Sequence, residues 1–375
     1  MTFTLKDLCP VYVVGIEIYR SQFTSETPYI ELGLADAGLA WPAVESAYFA
    51  KALLPMAPGR AMLRHLGATG LSIVHVENAS ASGSAAFRHA AIEVAAGITD
   101  ISLVVGVDKP MPLARAESLA RIGSLADDAI APFTHFAQLA DAYAARTGAS
   151  VEGIALVAVK NHRNGAKNPF AQHQKERTLD EILNGKRIAG RFTSLQCTPV
   201  GEGAAAVIVA SEAGLLRYGI GLDRAVRVVS SAGRSQRVYD DPTRHDAMLT
   251  EETTKIALAE AQVGPRELDV VELHDAFTVE EVEYVEAMGL CAGGQAVPLL
   301  KEGAFDIGGR CAISPSGGLI AMGHPIGPTG VGQIGEITRQ LRGEAGSRQQ
   351  PNARIGLAHM VGIGAVCYVH VLQAS

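Results

Sequence analysis

Short aliphatic and β-branched runs alternate with Ala-rich stretches along this 375-residue chain, and that alternation decides what it can fold into. The runs are VYVVGI (11–16), SIVHV (72–76), ISLVVGV (101–107), AAVIVA (205–210), AVRVVSSA (225–232) and ARIGLAHMV (353–361). Most are near-continuously apolar, as strands buried on both faces require. Joined by helical crossovers they imply βαβ units and a largely parallel sheet, an α/β fold.

A soft internal echo suggests duplication. Residues 34–49 (LADAGLAWPAVESAYF) and 258–273 (LAEAQVGPRELDVVEL) both run from an amphipathic helix end through a Pro-containing loop toward a strand. We therefore expect two similar halves, 1–217 and 218–375, facing each other across a ligand site. Within the first half, about 111–195, the character changes. RAESLARIGSLADDA (115–129) and HFAQLADAYAARTG (135–148) read as helices, and residues 160–190 are polar and basic. This is expected to be an insertion over the top of the core.

Bulk composition narrows the partners. Hydrophobic residues make up 48% and the net charge is −7, which fits a globular chain and argues against nucleic acid as the main ligand. Cys9, Cys197, Cys291, Cys311 and Cys367 are single and odd in number, so neither a disulfide framework nor a zinc site is expected. No apolar run has the ~18 residues of a membrane span. The chain starts without a signal-like segment and ends in QAS rather than a peroxisomal address, so a cytoplasmic location is the expectation.

Four motifs fall at expected strand ends, where the loops of an α/β sheet gather into sites. Residues 73–87, IVHVENASASGSAAF, turn sharply from strand into a small-residue helix and place Ser80 at the junction. LHDAF (273–277) follows a buried run and carries His274. SPSGGLIAMGHPIGPTG (314–330) holds Gly323 and His324, and LAHMVGIGAV (357–366) holds His359 and Gly362. Singly, each reads as a helix cap, a turn or a packing histidine; their joint occurrence points to a site.

With ENASASGSAAF, KNHRNGAKNPFAQ (160–172), HDAF, GHPIGPTG, QLRGEAGSRQ (340–349) and AHMVGIG in place, the chain resembles the thiolase superfamily, and within it the sterol-carrier or lipid-transfer type, over nearly its whole length. The resemblance implies a five-layer αβαβα fold, a homodimer, a loop domain that holds coenzyme A, and carbon–carbon chemistry on acyl-CoA thioesters of the Claisen, retro-Claisen or retro-aldol type. No cofactor is implied beyond the CoA thioester itself. By position, His324 would activate the nucleophile and donate to an oxyanion. His274 would hold a water or donor at an enolate oxygen. The N–H of residue 80, with one near Gly362, would form a second oxyanion hole, with Gly323 in the neighbouring loop. Lys160, Arg163, Lys186 and Arg187 are candidates for the CoA phosphates. Some relatives work with a small OB-fold and zinc-ribbon protein.

Two departures matter. Ser80 stands where a thiolase has its nucleophilic cysteine, and Ala276 where this branch often has the cysteine of HDCF, a second acid/base. A thiol of reference pKa about 8.5 ionises readily and a serine hydroxyl does not, so Ser80 needs a base to attack. His359 is the expected stand-in for proton transfer. Non-covalent aldol or retro-aldol chemistry, needing only enolate stabilisation, is therefore preferred over acyl transfer to Ser80. The alternatives are a non-catalytic acyl-CoA or lipid-binding homologue, or a Cys-to-Ser change introduced into an active thiolase; the second loss, at Ala276, argues against the last.

Overall fold

In the computed structural model the sheet order is β10-β9-β11-β12-β8-β1-β7-β4-β2-β3. The strands are β1 (Val11–Arg20), β2 (Ser46–Ala50), β3 (Ser72–Val76), β4 (Ile101–Asp108), β7 (Gly203–Ser211), β8 (Val226–Ser235), β9 (Val270–Glu272), β10 (Ala312–Ile313), β11 (Ile355–Gly362) and β12 (Val366–Ala374); β5 (Arg187–Ala189) and β6 (Phe192–Thr193) form a separate hairpin. The structure describes residues 8–20, 28–109, 132–199, 201–241, 244–363 and 366–375. The helix expected over 115–129 lies outside them.

The order reads identically outward from its middle. β1 pairs antiparallel with β7, β7 antiparallel with β4, β4 parallel with β2, and β2 parallel with β3. On the other side β8, β12, β11, β9 and β10 repeat the series antiparallel, antiparallel, parallel, parallel. The two blocks meet through only Tyr12↔Arg227 and Val13↔Val226. The sheet is thus mixed, not largely parallel: β7 and β12 run against the strands on either side, which an apolar-run reading cannot distinguish. Both echo segments form a helix end, a 3-10 turn carrying Pro (Trp41–Ala43; Pro265–Glu267) and then β2 or β9.

Alternation along the strands builds the layers. In β7, Ala205, Val207 and Val209 face one apolar cluster, and Ala204, Ala206, Ile208 and Ala210 another. The first cluster holds the helices Ser82–Ala95 and Thr329–Arg342, which touch strands of both blocks and form the central layer. Helix Pro28–Ala37 covers one outer face and helix His245–Ala261 the other, giving the order αβαβα. The segment expected as an insertion over the top instead packs Phe136, Tyr143, Ile154 and Val157 into the second block's outer core with Leu249, Leu273 and Val285. Among the described residues, no helix is long and apolar enough to cross a membrane.

Candidate active site

Ser80 sits in a turn between β3 and the helix Ser82–Ala95. The turn is laced by its own side chains: Glu77 Oε1 accepts the Ala79 N–H at 2.7 Å, and Ser82 Oγ accepts the Asn78 N–H at 2.8 Å while donating to Ala79 O at 2.7 Å. Ala79, immediately before Ser80, is held at φ 49°. A non-glycine residue there costs about 1–3 kcal/mol and marks a junction fixed by its surroundings. Small residues let the central helices meet closely. A Cβ on Gly83 would lie 2.7 Å from Gly327 O, so this position admits no side chain. Gly362 packs on the same turn, where a Cβ would lie 2.5 Å from Asn78 O.

His324 reaches this turn from the glycine-rich loop. Its Nε2 lies 2.9 Å from Ser80 Oγ, and its Nδ1 lies 2.8 Å from the hydroxyl of Thr329, the first residue of helix Thr329–Arg342. The loop is strained at Ile326, with φ 65° in a β-branched residue. It is anchored by Asp108 at the end of β4, which sequence reasoning missed. Asp108 Oδ2 accepts the Gly327 and Ala52 N–H groups, both at 2.8 Å, and Oδ1 those of Leu53 at 2.8 Å and Leu54 at 3.1 Å. Burial pushes this carboxyl up from its ordinary range, and the four amides offset that rise only in part.

His274 follows β9. Its ring stands at 85° to that of His324, centroids 5.4 Å apart. Its Nδ1 is 2.7 Å from Glu280 Oε1. Its Nε2 is buried and has no hydrogen-bond partner among the described residues. His359 lies beneath, fully buried; its Nδ1 accepts the His274 backbone N–H at 3.4 Å and its Nε2 is 3.0 Å from Thr250 Oγ1. Burial, with His274 adding repulsion, holds it neutral, well below the usual imidazole range. Both nitrogens are engaged by protein, so His359 buttresses His274 rather than taking the proton-transfer role expected of it.

The KNHRN motif turns out to be a rack behind these loops. Lys160 is 2% exposed and pairs with Glu281 at 3.1 Å while donating to Ile313 O at 2.6 Å. Asn161 donates to Asp275 Oδ2 at 2.6 Å, Asn164 to Ser314 O at 3.2 Å and Asn168 to Ser316 O at 2.8 Å. Asp275 Oδ1 in turn accepts the Leu319 N–H at 2.7 Å, tying HDAF to the segment that leads into His324. The expectation that Lys160 meets a phosphate is therefore corrected: its ammonium is consumed in the interior, where an unpaired charge would not be tolerated. Arg163 pairs with Asp306 at 2.6 Å, while Lys186 and Arg187 are exposed at the β5–β6 hairpin.

A duplicated αβαβα scaffold with a strand–helix hydroxyl faced by two loop histidines defines a thiolase-like enzyme. The comparisons agree. The family profile described as "Thiolase C-terminal domain-like" matches residues 232–373. The chain is 34% identical over 330 residues to the benzoylsuccinyl-CoA thiolase subunit BbsB of Thauera aromatica, covering 86% of this chain and 84% of that one. It is 34% identical over 360 residues to sterol carrier protein 2 of Bos taurus, covering 90% of this chain but only 65% of that protein. Among solved structures, the Ltp2-ChsH2(DUF35) aldolase superposes with TM-score 0.78 at 21% identity, covering 97% and 98% of the two chains, which shows the shared fold. The chain belongs to the thiolase superfamily and is a thiolase-like enzyme acting on acyl-CoA thioesters.

Proposed function

We propose that this enzyme makes or breaks a carbon–carbon bond beside a CoA thioester in the aldol or retro-aldol sense, without acylating itself. The observation that carries this reading is what stands behind His324. A serine nucleophile is activated by an imidazole whose other nitrogen is held by a carboxylate. Here that nitrogen meets the neutral Thr329 hydroxyl. Thr329 both donates and accepts, so unlike a carboxylate it does not hold the proton on Nδ1 and leaves the tautomer with the proton on Nε2 open to His324. In that tautomer His324 and the Ser80 hydroxyl are two donors for one thioester oxygen, each worth about 3 kcal/mol as that oxygen gains charge.

A cavity of ≈ 70 Å³ beside the loop, lined by Phe170, Gln172, Met322, Gly323, Pro325 and Gln333, suits part of an acyl group. Lys186 and Arg187 remain for the CoA phosphates. The Thauera relative's name, a thiolase subunit, supports a second polypeptide. A homodimer, a small OB-fold and zinc-ribbon partner, a cytoplasmic location and the absence of any cofactor beyond the thioester complete the proposal.

The test is product analysis with a panel of 3-hydroxyacyl-CoA esters, alone, and of 3-ketoacyl-CoA esters with free CoA. A carbonyl compound plus a shortened acyl-CoA from the first panel is expected. Thiolysis of the second panel alone, or binding without turnover of either, overturns the reading.

A further inference from the structure

We propose that Glu280 makes His274 the proton shuttle of this site. Its carboxylate keeps the imidazole proton on Nδ1, so that Nε2 presents a lone pair to the substrate. The inference rests on the enolate chemistry proposed above and assigns its missing base.

The geometry is specific. Glu280 is fully buried in the first turn of helix Thr278–Ala287. Its Oε2 accepts the Phe277 N–H at 2.8 Å, and its Oε1 receives the Tyr284 hydroxyl at 3.2 Å as well as His274 Nδ1 at 2.7 Å. An ionised carboxylate only accepts, so Nδ1 carries the hydrogen, and in the neutral imidazole Nε2 is then the bare nitrogen. A buried polar atom left without a partner costs about 1–3 kcal/mol, a cost retained where a ligand uses it. Of the three imidazoles gathered here, His274 has a carboxylate on its Nδ1, while His324 Nδ1 meets the Thr329 hydroxyl and His359 meets Thr250 and the His274 N–H. The neighbouring Ala276 has no acid/base group to offer.

With a 3-hydroxyacyl thioester, Nε2 takes the proton of the C3 hydroxyl. The C2–C3 bond breaks, C3 keeps its oxygen as a carbonyl, and the electron pair passes into the thioester as an enolate. Ser80 and His324 hold the enolate oxygen. The imidazolium, with Glu280 compensating its charge, then returns the same proton to C2. No other reactant enters.

Enolate formation is readable without carbon–carbon cleavage, as exchange of the C2 hydrogens of a simple acyl-CoA in D2O followed by NMR. The protein is expected to catalyse this exchange, Glu280→Gln to slow it about a hundredfold or more, and Glu280→Asp to recover part of the loss. A side chain that merely packs would not show that recovery. Nitrogen-15 NMR of histidine-labelled, unsubstituted protein, with His274 assigned by its absence in His274→Asn, reads the tautomer directly and does not depend on the Glu280 variants folding. A protonated Nδ1 and bare Nε2 support the proposal. The opposite tautomer, or exchange by Glu280→Gln at the unsubstituted rate, overturns it. Glu280-dependent exchange without any cleavage would uphold the shuttle while removing the aldol reading; cleavage indifferent to Glu280→Gln would do the reverse.

Discussion

Ser80 Oγ and His324 Nε2 lie 2.9 Å apart although 244 residues separate them in sequence. The contact joins the first half's strand–helix turn to the second half's glycine-rich loop. As a pair of donors they should be needed for chemistry more than for folding. Ser80→Ala is expected to lower kcat about 10²–10³-fold, the usual loss for one oxyanion donor, with little change in Tm. Ser80→Cys restores a nucleophile, and acyl-CoA is expected to acylate that variant. Steady-state kinetics with calorimetry check the first, and peptide mapping the second.

Asp108 positions His324 from a distance. Removing its carboxylate in Asp108→Ala leaves four backbone N–H groups without an acceptor, at about 1–3 kcal/mol for each that stays buried. We expect at least ~3 kcal/mol of lost stability in urea unfolding, together with a fall in kcat for the fraction that remains folded. A variant with normal stability and kcat would show that the loop is held by other means.

Lys160 and the exposed basic pair separate cleanly. Lys160→Met leaves Glu281 buried without its cation, which should cost about 3–5 kcal/mol without weakening CoA-ester binding to the folded protein. Lys186→Ala with Arg187→Ala should do the opposite. Binding of CoA esters should weaken and lose part of its salt dependence, while acyl-pantetheine, which lacks the nucleotide phosphates, should bind as before. Unfolding curves and calorimetric titrations decide between the assignments.

Stability should fall as pH rises from about 4.5 to about 8. Glu272, 1% exposed and accepting from Ser316 N and Oγ, is pushed up to about 8, first by burial and then by Glu336. The folded state keeps a proton that the unfolded chain releases near the ordinary value of 4.5. The group's contribution is therefore complete below about 4.5 and is lost as pH climbs through about 8. Glu283, raised to about 7 by burial, acts in the same sense. Glu272→Gln should flatten, without abolishing, the decline of Tm between about pH 4.5 and 8. An unchanged slope would mean that Glu272 is already ionised in the folded protein.

The strands, the duplicated phrasing and the loops bearing Ser80, His274 and His324 were legible because each rests on local pattern: apolar runs, a small-residue helix start, Gly-Pro punctuation. Strand direction was not, since the run that forms β7 looks like any other apolar run. The KNHRN lysine misled for a related reason. Charge in sequence reads as surface, and it takes distant partners, the Glu281 carboxylate 121 residues away and Ile313 O, to make Lys160 an interior residue. Glu280 left a faint trace, a Glu at the third position of a helix start, which reads as a cap. That it also holds His274 follows from the fold of the turn between them. Asp108 left only a lone acid at a strand end.

The most direct measurement is the intact mass of the protein quenched during turnover of a 3-hydroxyacyl-CoA ester, with the small molecules analysed from the same sample. The non-covalent account predicts a carbonyl product and a shortened acyl-CoA alongside protein of unchanged mass. An acyl adduct mapping to Ser80 and forming as fast as product appears would contradict it.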